Sequence, residues 1–181
     1  MSLLKDYPRD KEIGIRCHFG LASYYERFGS EQELLGAYET IKKIYRDDQR
    51  VLSIPFFIYR YYQRINNLAE ARKVLEQATA EYEAAFKAHA NDAQLSMLIA
   101  RSLFFVYAET KSWNRLIGFL EQLRKKYPND PSFPFSIASV YRNELKQPHE
   151  ARRIYQEMLE RYAAHDTLVT LIKKQIDSLP Q

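Results

Sequence analysis

The chain has 181 residues, 46% of them hydrophobic and 28% charged, a balance that excludes a disordered polypeptide and allows a sizeable buried core. A formal charge of +4 admits acidic partners without calling for nucleic acid, and the single cysteine, Cys17, excludes an intrachain disulfide framework. With only 5 glycines and 7 prolines, and with Ala, Leu, Glu, Lys, Arg and Gln plentiful, an all-α protein is predicted. The longest apolar run, Leu52 to Tyr59, is too short to span a bilayer, and no basic segment followed by an apolar stretch opens the chain. Membrane insertion is therefore not expected, and the lone cysteine fits a reducing, cytoplasmic setting.

In chain order, residues 1–10 come first. "LLKDYPRD" at Leu3–Asp10 reads like "LRKKYPND" at Leu123–Asp130, so this stretch is predicted to be the tail of a preceding repeat, or a leader, and the chain a segment of a longer array. Residues 11–49 carry Leu21, Ala22 and Tyr25 on one helix and, after a polar turn, Leu34, Tyr38 and Ile41 on a second. Spacings of three and four put each set on one helical face. Residues 50–90 repeat the arrangement with Ile58, Tyr59 and Tyr62, then Ala71, Leu75 and Ala78. Here the second helix can run without Gly or Pro from Leu68 to about His89, and is predicted to project past its neighbours. That overhang would either offer Tyr82 and Phe86 as a contact surface or pack along the third pair.

Residues 91–130 supply Leu103, Phe104 and Tyr107, then Leu116, Leu120 and Leu123 on a helix opened by Trp113, whose ring packing explains. Residues 131–164 supply Ile137, Ala138 and Tyr141, then Ala151, Tyr155 and Met158. "EARRIYQEML" at Glu150–Leu159 nearly copies "EARKVLEQAT" at Glu70–Thr79. Finally, residues 165–181 place Leu168, Leu171, Ile172, Ile176 and Leu179 on one stripe, with Lys173, Lys174 and Asp177 opposite, as a capping helix would.

The step from Tyr107 to Tyr141 is 34 residues, after steps of 37 and 45. In this period and in its tyrosine and small-residue positions the chain resembles the tetratricopeptide repeat family over about Lys11 to Ala164. The family's early tryptophan is replaced by His18, Pro55, Ala100 and Pro134, its small residue by Tyr59 and Phe104 in two repeats, and its closing proline survives only as Pro128. The resemblance implies a right-handed α–α superhelix, a solenoid of antiparallel helix pairs, acting as a non-catalytic protein–protein interaction module. First helices of this family line a concave groove that holds a partner peptide or helix. Carried over by position, the groove residues are Phe19 and Arg27 in the first pair, and Phe56, Arg60 and Arg64 in the second. Arg101 and Phe105 follow from the third pair, and Arg142 from the fourth. Aromatic rings and guanidinium forks together suit an acidic segment with apolar anchors. The competing reading is that these arginines pair locally with Glu26, Glu109 or neighbouring helices. The family's carboxylate clamp is not reproduced, since Phe19, Ser23, Phe57 and Arg60 stand in its places.

No catalytic residue, metal site or cofactor is indicated. His18, His89, His149 and His165 fall at unrelated repeat positions, none at helical spacing from another histidine or a cysteine. Cys17 and His18 are adjacent and so point about 100 degrees apart on a helix, reading as a core thiol beside a surface imidazole. Asp47 and Asp48 sit where one helix ends and the next starts. The alternative class is a scaffold in RNA processing, since "EARRIYQEML" also resembles the second helix of the half-a-TPR repeat. That repeat's tryptophan and glutamate do not recur, and no long Lys/Arg run marks an RNA surface.

Overall fold

The computed structural model describes residues 10–180; of the stretch that resembles Leu123–Asp130, all but Asp10 lies outside the described residues. The fold is all-α: 81% of the described residues are helical, and there is no strand among them. Helices α1 (Lys11–Phe28) and α2 (Glu31–Ile44) form the first hairpin. A 3₁₀ turn, Gln49–Ser53, leads into α3 (Ile54–Arg64), which packs on α4 (Leu68–Ala88). Then come α5 (Ala93–Glu109) and α6 (Trp113–Lys126). Helix α7 (Ser132–Ser139) continues into a π-helical turn, Val140–Glu144, and packs on α6 and on α8 (Pro148–Arg161). Helix α9 (Asp166–Asp177) lies against α8. The chain forms two compact units, one ending at Val106 and one beginning at Tyr107.

Every second-helix stripe is buried. Leu34, Tyr38 and Ile41 are 4% exposed or less, as are Ala71, Leu75 and Ala78, Leu116, Leu120 and Leu123, and Ala151, Tyr155 and Met158. At about 25 cal/mol per Å2 of apolar surface, each such stripe favours folding by several kcal/mol before chain entropy is counted.

The four repeat tyrosines also share a backbone role. The carbonyl oxygen of each accepts from the turn that follows: Tyr25 from the Gly29 N–H at 2.9 Å, Tyr62 from Asn67 at 2.9 Å, Tyr107 from Ser112 at 2.8 Å and Tyr141 from Gln147 at 2.8 Å. In the last three turns the preceding residue, Asn66, Lys111 or Lys146, has a positive φ of 58°, 52° or 55°. That left-handed residue reverses the chain and lets the turn N–H reach back to the helix end. In the first turn Gly29 serves instead at φ −99°, where an added Cβ would lie 2.7 Å from the Tyr25 ring. From Tyr25, Tyr62 and Tyr107 to the first buried residue of the next helix, Leu34, Ala71 and Leu116, the count is nine; from Tyr141 to Ala151 it is ten. The π-helical turn at Val140–Glu144 absorbs this extra residue and keeps both helices in phase.

Aspartates cap the first helices. Asp10 accepts from the Ile13 N–H at 3.0 Å, Asp48 from Arg50 at 3.0 Å, Asp92 from Leu95 at 2.9 Å and Asp130 from Ser132 at 2.9 Å. Asp48 thus opens a helix as its place in the sequence suggests, and it also anchors Arg50. The Arg50 guanidinium bonds Asp48 Oδ1 and Oδ2 at 2.9 Å each and reaches Glu12 Oε1 and Oε2 at 3.0 and 2.8 Å, tying the start of α1 to the 3₁₀ turn.

Four expectations are corrected. Tyr82 is not an exposed overhang surface but is 5% exposed, its hydroxyl donating to the Leu52 carbonyl. The 3₁₀ turn lengthens the first arm of this hairpin and α4 is covered as far as Tyr82, while residues 83–88 beyond it are half-buried or exposed. Cys17 is half-buried rather than a core thiol, and His18 is no surface imidazole. His18 Nδ1 lies 2.8 Å from the Gly14 carbonyl and 3.2 Å from the Tyr45 hydroxyl, its ring edge-on to Tyr45. Phe104 is 40% exposed while its counterparts Ala22, Tyr59 and Ala138 are buried. Leu171 is 46% exposed although Ile172 beside it is fully buried, so the stripe of α9 is narrower than its sequence suggests.

Candidate functional site

Within the first unit, α3 carries Phe56, Arg60 and Arg64 at intervals of four, and α5 carries Arg101 and Phe105, also four apart. Each set therefore forms a ridge along one side of its helix. The structure brings the two ridges together. The Phe56 and Phe105 rings meet edge to face at 4.9 Å and 84°, and Tyr59 approaches Phe105 in the same manner at 6.1 Å. Aromatic pairs favour this geometry because the positive edge of one ring faces the negative face of the other. The Arg60 guanidinium lies over the Phe56 ring, 5.6 Å from its centroid, so stacking leaves its N–H edge available. Neither Arg60 nor Arg101 has an ion pair or hydrogen bond among the described residues, and both are exposed.

Other expected residues stand elsewhere. Arg64 is engaged: it donates to the Glu26 carbonyl at 2.8 Å and pairs with the Glu26 carboxylate at 3.2 Å, while lying over Tyr61. Phe19 packs on Phe57, which stacks on Tyr38, so its ring belongs to a neighbouring aromatic row. Arg27 is exposed near the end of α1. Arg142 belongs to the second unit, where it donates to Gln175 Oε1 at 2.8 Å and bonds the Tyr155 hydroxyl, joining the π-helical turn to α8 and α9. Local pairing thus holds for Arg64 and Arg142 and not for Arg60 and Arg101.

Behind the Phe56–Phe105 pair lies a cavity of about 370 Å3 that the sequence did not reveal. Leu75, Tyr82, Leu98 and Val106 contribute its apolar lining, and Leu52 of the 3₁₀ turn closes one side. Burial, foremost, pushes the Tyr82 phenol up to about 12, so it remains a neutral hydrogen-bond donor at ordinary pH. Tyr38 is pushed up to about 12 as well, by burial and then by the negative charge of Glu26. Neither phenol can act as a base near neutrality. Among the described residues no group of three His, Cys, Asp or Glu side chains is placed to hold a metal ion. No helix among them is long and apolar enough to cross a membrane. What this face offers is two unneutralised guanidinium groups beside stiff apolar rings.

The sequence missed the cavity because its lining depends on the 3₁₀ turn bringing Leu52 to Tyr82, thirty residues on. It also missed the caps at Asp92 and Asp130, although a signal was present: they stand three residues after His89 and Tyr127, as Asp48 stands three after Tyr45.

No family model matches the chain. No curated protein sequence matches it. Among solved structures it is similar to that of a MamA mutant, at 13% identity, over 93% of this chain and 91% of that one, with a TM-score of 0.40. At that distance the likeness carries no argument about function.

Proposed function

We propose that the chain is a non-catalytic protein-binding scaffold of tetratricopeptide-like helix hairpins, and that the α3–α5 face of its first unit holds an acidic segment of a partner protein. The observation that carries this reading is the position of Arg60 and Arg101: two exposed guanidinium groups without a carboxylate partner, beside the Phe56–Phe105 ring pair. Guanidinium forks bind carboxylates through paired hydrogen bonds, and rigid aromatic rings give contact area at little entropic cost. The period and stripes of the sequence support the scaffold reading. Arg64 serves to pin α3 to α1, and Arg142 to hold the second unit's helices together.

The test is affinity capture with this chain as bait, alongside the double variant Arg60→Glu/Arg101→Glu. The reading predicts that the variant captures no partner while its helicity and melting match the parent. Undiminished capture by the variant contradicts it. A partner complex that dissolves steeply with added salt would instead indicate a nucleic acid, since counterion release governs such binding.

A further inference from the structure

The cavity beneath the ring pair says more about the partner than charge alone. Its exposed lining residues, Ser53 and Arg101, mark its mouth, and its interior is apolar. The one buried phenol there is already satisfied, since Tyr82 donates to the Leu52 carbonyl and meets the Ser102 hydroxyl. Among the described residues no buried side-chain polar atom lacks a partner. Inside the mouth, Leu52, Pro55, Leu75, Leu98 and Val106 carry no polar side-chain group and the Tyr82 and Ser102 hydroxyls are already paired, so a guest burying a polar group of its own there would lose free energy with little return. At about 370 Å3 the cavity stands at the small end of ligand sites, with room for one large side chain. At the mouth the unpaired Arg101 would meet whatever follows that side chain, and Arg60 stands outside the cavity on the same face. A small free acid would use Arg101 alone, whereas a peptide can fill the cavity and reach both cations.

We infer that this cavity is an anchor pocket for one bulky apolar side chain of an acidic partner segment, whose flanking carboxylates are held by Arg101 and Arg60. This inference rests on the proposed binding face and adds the feature that selects among acidic segments. The pocket rejects segments that are acidic but lack the anchor, because the two cations alone sit in water and hold carboxylates weakly.

The experiment measures fluorescence anisotropy of the full chain with labelled nine-residue peptides rich in glutamate whose central residue is Ala, Leu, Phe or Trp. The Leu, Phe or Trp peptide is expected to bind about tenfold more tightly than the Ala peptide, the gain expected from burying one large apolar group. Ser53→Trp at the mouth and Ser102→Leu in the wall, each checked by circular dichroism, should each erase that preference. Arg101→Glu should weaken every acidic peptide. Equal binding of all central residues, a preference that survives both plugging variants, or no binding at all would overturn the inference. Phenylacetate binding as tightly as the Phe peptide would overturn the choice of a peptide guest. If all the acidic peptides bind alike and Arg60→Glu/Arg101→Glu abolishes them, the pocket falls while the binding face stands.

Discussion

Lys111 and Lys146 hold backbone angles that lysine adopts reluctantly. At φ 52° and 55° the Cβ crowds the following carbonyl, a strain on the order of 1 kcal/mol that glycine lacks. The turn demands the conformation, because only there does the following N–H reach the carbonyl of Tyr107 or Tyr141. Lys111→Gly and Lys146→Gly should therefore each stabilise the protein, by about 0.5 kcal/mol once glycine's greater unfolded freedom is subtracted. Asn66→Gly should gain less, since asparagine tolerates that region. Urea melts of the three variants decide the matter, and destabilisation by both lysine replacements would contradict this account of the turns. The aspartate caps are equally local. Asp92→Ala and Asp130→Ala each leave a first-turn N–H without its side-chain acceptor and should cost about 1 kcal/mol in the same melts.

At the scale of elements, the Glu12–Arg50–Asp48 cluster makes the joint between the first and second hairpins sensitive to acid. Bonds from Arg50, foremost, hold the Asp48 carboxyl down at about 2 and lower Glu12 as well. A carboxylate whose folded value lies below its unfolded one contributes stability that is fully present above the ordinary range, near 4, and is lost as pH falls toward the folded value. Melting temperature should thus drop between about pH 4 and pH 2, and Asp48→Asn should flatten part of that drop. An unchanged acid profile in the variant would remove Asp48 from the explanation. The hairpins themselves were legible in the sequence because their buried stripes obey helical spacing through all four second helices. The phase slip at Tyr141 was legible too, in a count of ten where the other pairs have nine, but its remedy was not. Only coordinates reveal a π-helical turn instead of a longer loop. Deleting Asn143 should restore a nine-residue interval and give a cooperative melt close to the parent's. Loss of cooperativity would mean that the extra residue is needed.

For the molecule as a whole, sequence reading yielded the all-α class and named Phe56, Arg60, Arg101 and Phe105 among eight groove residues, these four being brought onto one face of the first unit by the structure. It could not separate these from Arg64 and Arg142. Pairing depends on which carboxylate or amide a neighbouring helix presents, and Glu26 and Gln175 stand 38 and 33 residues from their partners. The reach of Tyr82 to Leu52 was hidden for the same reason, since a helix without Gly or Pro reads as an overhang until the 3₁₀ turn that covers it is seen. The central claim is that partner binding resides on α3 and α5 of the first unit. Hydrogen exchange of the chain, alone and saturated with a partner recovered by capture, tests it most directly. Slowed exchange is predicted to concentrate in α3 and in α5 through Phe105; protection confined to other helices, with α3 and α5 unchanged, would contradict it.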